Sequence, residues 1–280
     1  MEFGASIFFT AYSIAPGELA AALEARGFES LWVAEHSHIP LTRRFTLPGT
    51  MQLTQQYYDV MDPFVTLTAA AAATTRLKLA TAICLVIQRD TIQTAKLVAS
   101  LDQVSGGRFI FGIGGGWNAE EMEDHGTVYA TRFKKMREQV EAMKRIWTEE
   151  VAEYHGEIVD FPPMIARPKP VQPHPPIIIG GAFRHAARRA IRYGDGILPQ
   201  GEDQGSGSPE EFMPRFREMA RAAGRAELPV TIGNAPEDLD RLKRLRDLGV
   251  ARVSARLPAE PAAAVLPILD RWAELIHRLG

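Results

Sequence analysis

Along this chain, short apolar and β-branched runs alternate eight times with longer segments whose apolar positions recur every three or four residues. The runs predict strands at roughly 3–9, 30–34, 78–84, 108–113, 177–180, 195–198, 229–233 and 250–256. Helices are predicted near 16–26, 62–74, 91–104, 132–148, 183–193, 209–223, 236–248 and 261–279. The helix at 132–148 is the clearest: Phe133, Met136, Val140, Met143 and Trp147 form one apolar stripe, with Lys134, Lys135, Arg137, Glu138 and Glu141 between them. In the last strand Val253, Ala255 and Leu257 alternate with Arg252, Ser254 and Arg256, which puts basic side chains on one face. Eight β-α units predict an α/β fold, one (β/α)8 TIM barrel domain over residues 1–280.

Four connections are longer than a barrel needs. Those at 35–61, 114–131 and 199–208 follow strands and so enlarge the C-terminal face, where barrel enzymes keep their chemistry. The fourth, 149–176, runs from helix to strand and belongs to the opposite face. The piece QGSGS at 204–208 reads as a mobile loop over the site.

Composition narrows the function classes. With 280 residues, 46% of them hydrophobic, the chain can bury a large core by itself. A net charge of −2 offers no field for a phosphate backbone or an acidic membrane, so neither nucleic acid nor membrane is expected as a partner. No apolar stretch reaches the roughly 18 residues of a membrane span, and the amino terminus reads as a strand rather than a signal peptide. The single cysteine, Cys84, cannot form an internal disulfide, which fits a reducing, cytoplasmic setting.

Two glycine clusters and one histidine cluster fall at strand ends. Gly112-Ile113-Gly114-Gly115-Gly116-Trp117 lets backbone amides approach a ligand, or simply makes a tight turn. Gly180 and Gly181 end an apolar run and open a helix, where unpaired amides suit a phosphate. Of the arginines that follow, Arg188, Arg189 and Arg192 read as solvating an outer face. Ala34-Glu35-His36-Ser37-His38 ends the second strand and makes His36 a candidate acid/base, whereas His38 reads as an ordinary loop histidine. The H-x-H pair could ligate a metal, but no second cluster at the other strand ends completes a shell, so no metal is expected. A Schiff-base mechanism lacks a lysine at a strand end, and the apolar neighbours of Cys84 disfavour a reactive thiol.

With these pieces placed, the stretches GFESLWVAEH, LATAICL through QRD, LDQVSGGRFIFGIGGGW, PIIIGG and GDGILP resemble, in order, the luciferase-like monooxygenase superfamily. The likeness covers roughly residues 28–200 and is nearest to the deazaflavin-dependent oxidoreductases that use coenzyme F420. It implies a cofactor ring near Glu35 and His36, against a strand-three bulge with a non-proline cis peptide at Ala82-Ile83. It also implies that Gly115 and Gly116 line the cofactor, and that Gly180, Gly181 and Ala182 approach its phosphate-bearing tail. In the superfamily's sugar-phosphate dehydrogenases a glutamate stands where Trp117 is here, and an aspartate where Glu35 is. A sugar phosphate is therefore disfavoured, and the indole of Trp117 points to an apolar or aromatic substrate unless it only packs under the loop.

The resulting expectation is an oxidoreductase that moves a hydride between coenzyme F420 and a small organic substrate. FMN, with oxygen insertion, is the alternative, and a non-catalytic cofactor-binding barrel a further one. An arginine count of 25 against 7 lysines fits a GC-rich genome of the kind in which deazaflavins are often made. Relatives of this kind are commonly homodimers, so a dimer is a further expectation.

Overall fold

The computed structural model describes residues 1–44, 52–201 and 204–279. The part of the 35–61 connection at 45–51, and residues 202–203 of the 199–208 connection, lie outside them. Eight parallel strands run in the spatial order β8 (Gly196–Pro199), β7 (Ile177–Gly181), β4 (Phe109–Ile113), β3 (Lys78–Thr81), β2 (Ser30–Val33), β1 (Glu2–Ile7), β10 (Arg252–Arg256) and β9 (Thr231–Ile232). Val230, beside β9, bridges to Ile197 of β8 and brings the ends of the row together. The result is an α/β barrel with its helices outside.

The outer core is the seam between sheet and helices. In α6 (Arg132–Thr148) Met136, Val140, Met143 and Trp147 are buried, as the stripe of apolar positions requires, and the Trp147 Nε1–H donates to Ala95 O at 3.0 Å. Inside the barrel, inward positions of successive strands form a second cluster of Trp32, Ala80, Ile110 and Ile178. Trp32 fills this layer, and its ring nitrogen donates to Ser30 Oγ at 2.8 Å.

Below Trp32 the inner face becomes charged. Arg252 lies 5.4 Å over the Trp32 ring and donates through Nε to Glu29 Oε2 at 2.7 Å, while Lys78 Nζ reaches Glu29 Oε1 at 3.0 Å. The basic face of β10 is thus turned into the barrel, where the half-buried Glu29 carboxylate neutralises its first member. Burial alone would raise the Glu29 pKa, but the Arg252 and Lys78 partners hold it below the ordinary value.

The predicted strands and main helices are all present, several of them shorter than the apolar runs. The differences lie in the connections. The 149–176 segment holds an antiparallel hairpin, β5 (Ala152–His155) with β6 (Asp160–Met164), that no strand was predicted to form. Its two prolines, Pro162 and Pro163, argue against a strand in the sequence, yet a two-stranded edge tolerates missing donors. Short helices α2 (Gln56–Asp59) and α5 (Ala119–Asp124) occupy the connections after β2 and β4. Among the described residues no helix is long and apolar enough to cross a membrane.

Candidate active site

Helix α5 brings an acid to the histidine at the end of β2. Glu121, fully buried, receives the His36 Nδ1–H on Oε2 at 2.8 Å and the Ser37 amide on Oε1 at 3.1 Å. A carboxylate only accepts, so the Nδ1 position carries the proton and the Nε2 atom is left for whatever lies in the mouth of the barrel. His36 is flanked by two aromatic rings, Tyr57 at 5.5 Å and Trp117 at 5.8 Å between centroids, and Tyr57 in turn lies 4.9 Å from Phe8. Glu121 was not anticipated; the only signal in the sequence is an acid four residues beyond Trp117, one turn into a helix too short to show a period.

Glu35 has a different place. Its Oε2 accepts from the Leu85 amide at 2.6 Å and its Oε1 from Arg89 Nε at 2.6 Å, and Arg89 continues to Asp62 Oδ2 at 2.6 Å. Asp62 also caps helix α3 (Pro63–Ala72) through the Phe64 and Val65 amides. Both carboxylate oxygens of Glu35 are therefore occupied in pinning the chain after β3 to the chain after β2.

The chain held in this way is the bulge itself. The Ala82–Ile83 peptide is cis, as the family resemblance implied. Cys84 then bridges to Ile113, with its amide donating to Gly112 O at 2.8 Å. Burial raises the Cys84 thiol well above its ordinary range, in keeping with a packed residue.

The glycines divide by what their missing side chains accommodate. A Cβ at Gly180 would stand 2.7 Å from Ile83 Cγ2, and one at Gly115 would stand 2.4 Å from the Phe133 ring. Gly116 has φ 61°, and a Cβ there would meet Leu85 at 3.2 Å. These three make room for the protein's own side chains. Gly181 is the exception: its φ is 130° and a Cβ would meet nothing within 4 Å, so it borders open space. Next to it Ala182 caps helix α7 (Phe183–Tyr193) without a side-chain bond, while Ser206 Oγ receives the Phe183 amide at 3.1 Å. Ser206 is buried and Ser208 forms a capping box with Glu211. The QGSGS piece is thus a turn anchored to the start of α7 and to the start of the helix Pro209–Ala222 rather than a loose loop.

Arg188 and Arg192 are exposed, as the sequence suggested, but Arg189 is not on the outer face. Its guanidinium lies 3.4 Å over the Phe133 ring, which Arg132 also covers at 4.3 Å. Burial lowers the pKa of both arginines, and for Arg189 the Arg132 charge adds to this against an opposing Tyr193. Neither has a carboxylate partner among the described residues, and the buried Arg132 Nε has no hydrogen-bond partner. Both side-chain amide atoms of buried Asn118, at the start of α5, are likewise unpaired, as are those of Gln88. Buried polar groups of this kind are costly unless something else completes them.

This arrangement of bulge, glycine turns and strand-end histidine is accompanied by a match of residues 14–236 to the luciferase-like monooxygenase family model. The chain belongs to the luciferase-like monooxygenase family. An uncharacterized protein of Mycobacterium tuberculosis is 37% identical over 282 residues, spanning 98% of each chain. The crystal structure of the monooxygenase RslO1 from Streptomyces bottropensis matches with a TM-score of 0.81 at 20% identity over 99% of each chain. The coenzyme F420-dependent tetrahydromethanopterin reductase of Methanopyrus kandleri matches with a TM-score of 0.74 at 18% identity, over 100% of this chain and 99% of that one. At such identities these structures speak for the fold.

Proposed function

We propose that this protein is an oxidoreductase that uses coenzyme F420 to move a hydride to or from a small organic substrate, with His36 as the acid/base. The observation that carries the proposal is the buried Glu121–His36 pair at the barrel mouth, a polarised imidazole beside two aromatic rings and the bulge after β3. The surrounding residues fit a phosphate-bearing ring cofactor in two respects. Gly181 leaves open space that a Cβ would enter, and Arg132 and Arg189 offer cationic groups without carboxylates. In this reading the Ala82–Ile83 bulge and the backbone of Gly115 and Gly116 would hold the ring, and the backbone of Gly180, Gly181 and Ala182 would hold the phosphate. Arg132 and Arg189 supply charge for the same group.

A bound deazaflavin supplies a carbon centre that takes up or releases a hydride and does not activate oxygen. His36, held by Glu121, keeps its Nε2 toward the substrate oxygen and exchanges a proton there as the carbonyl and alcohol forms interconvert. Tyr57 and Trp117 enclose an apolar body and exclude water around that proton transfer. Glu35 has a positioning role, since it holds the bulge through Leu85 and Arg89 rather than offering a free oxygen to the ring.

The family's monooxygenase members support a second reading, in which FMN replaces the deazaflavin and oxygen is inserted. Titration of the cofactor-free protein with each compound, followed by ring fluorescence and by oxygen consumption during turnover, separates the two. Tighter binding of F420 and no oxygen uptake is the expected result. Tighter binding of FMN with oxygen consumed would reverse the choice, and binding of neither would overturn the proposal.

A further inference from the structure

The inward face of β10 ends in a charge that the proposed reaction has not used. Arg252 lies over Trp32 inside the barrel, so the alternation of the strand puts Ser254 and then Arg256 on the same inward face. Arg256 is the last residue of the strand and stands at the rim of the mouth, exposed, in register with Ser6 of β1. Among the described residues it has no hydrogen bond and no ion pair, whereas Arg252 at the other end of the same face is neutralised by Glu29. Asp59, on the short helix that carries Tyr57, is bonded to Gln55.

Aromatic rings stand on one side of this cation, and the acids Asp59 and Glu260 lie by Tyr12 in the same corner. Two residues beyond Ser6, just past the end of β1, stands Phe8, whose ring meets Tyr57, and Tyr57 reaches on to His36. Burial raises the Tyr57 hydroxyl above its ordinary range and the Arg256 charge opposes that shift, which places the guanidinium within electrostatic reach of the aromatic wall. The inward residues near the other strand ends, Ala82, Gly180 and Leu198, carry no charge. Topology separates this corner from the proposed cofactor. The bulge and Gly115 follow β3 and β4 and Gly181 ends β7, while Arg256 ends β10 and Phe8 follows β1 on the other side of the ring of strands.

Resting on the proposed hydride-transfer reading, we propose that the substrate is an organic anion, with an apolar or aromatic body along Phe8 and Tyr57, its anionic group on Arg256 and its reacting carbon beside His36. β2 and β10 flank β1, so the two anchoring strands are about 10 Å apart, the span of a ring with a short acid-bearing arm. A guanidinium bonds a carboxylate or a phosphate ester through two parallel donors, a contact that a neutral analogue does not make.

The test measures binding, so it does not depend on turnover. Phenylacetate, phenyl phosphate and 2-phenylethanol are titrated by calorimetry into the wild-type protein and into R256Q, each with and without the cofactor that binds. One or both anions should bind the wild type at least about ten-fold tighter than the alcohol, and R256Q should lose that advantage while its affinity for 2-phenylethanol is unchanged. The anion that binds better identifies the headgroup as carboxylate or phosphate. Equal affinity for all three probes, or an anion affinity that survives in R256Q, would overturn the inference. In the wild type alone, added salt should weaken anion binding and leave the alcohol unaffected, and indifference of the anion to salt would count equally against it. Failure of both cofactors to bind, with the anion preference intact, would remove the hydride-transfer reading and leave the Arg256 site standing.

Discussion

The two ends of this barrel are built by opposite rules. At the N-terminal end of the strands the charges described here are neutralised or hydrogen-bonded: Glu24 accepts the Arg76 amide at 2.6 Å and the Leu77 amide at 2.7 Å, and Glu29 takes Arg252 and Lys78. Arg108 there donates to the carbonyls of Ala71, Thr74 and Leu77. Among the described residues at the C-terminal end, the Arg256 side chain has no partner, Arg132 and Arg189 share one aromatic ring without a carboxylate, and the Asn118 amide is buried unpaired. A closed network holds a fold together, while open polar groups at the catalytic face are where the proposed function puts its ligands. Complete pairs also stand among the described residues at the mouth, His36–Glu121, Glu35–Arg89, His38–Asp124 and Arg44 with Glu120 and Glu123, and they fix the geometry around the open groups.

Substitutions at the two ends should therefore fail in different assays. His36→Ala should lower turnover by about 10²- to 10⁴-fold with the cofactor dissociation constant little changed, measured in parallel on the same preparation. An unchanged rate would remove His36 from the chemistry. Arg252→Met should do the reverse, costing about 3 kcal/mol of stability in denaturant titration by leaving Glu29 short of its main partner, while cofactor affinity stays as it was. Glu121→Gln keeps the shape but not the charge that holds the imidazole. It should reduce kcat by about 100-fold with KM and cofactor affinity nearly unchanged, a split that a merely structural role would not produce.

The smallest effect belongs to pH. Burial alone would raise the Glu24 pKa, but bonds from the Arg76, Leu77 and Thr75 amides lower it from 4.5 to about 2. A depressed carboxylate stabilises the fold above its unfolded value, and that contribution is lost as pH falls from 4.5 toward about 2. Glu24 is partly exposed, so solvent screening leaves about 1 kcal/mol. Melting curves of Glu24→Gln should be flatter than those of the wild type over that acid range, and equally steep curves would show that the amide contacts contribute little.

The barrel was legible because its signal is repeated: eight apolar runs and eight helical stripes support one another, even where a strand such as β9 shrinks to Thr231–Ile232. The candidate site was legible only in part. His36 and the bulge announce themselves by residue type and by order along the chain, but Glu121 meets His36 across 85 positions and only the fold joins them. The family resemblance put Glu35 together with His36 near the cofactor ring; side chains of adjacent residues at a strand end face opposite ways, and Glu35 turns to Arg89. Arg189 looked like one of three solvated arginines on a basic helix. Its spacing from Arg188 and Arg192 did not reveal that it turns toward the first turn of α6.

The contrast between a closed floor and an open mouth rests most directly on Arg132 and Arg189. The double substitution Arg132→Met and Arg189→Met removes both guanidiniums and keeps apolar contact with Phe133. Cofactor dissociation constant and melting temperature are then measured together. If these charges await an anionic group, the dissociation constant should rise by about 10- to 100-fold while the melting temperature holds or increases, since two like charges have been relieved. An unchanged dissociation constant with a lowered melting temperature would contradict this, making the pair part of the fold and leaving the mouth without its phosphate site.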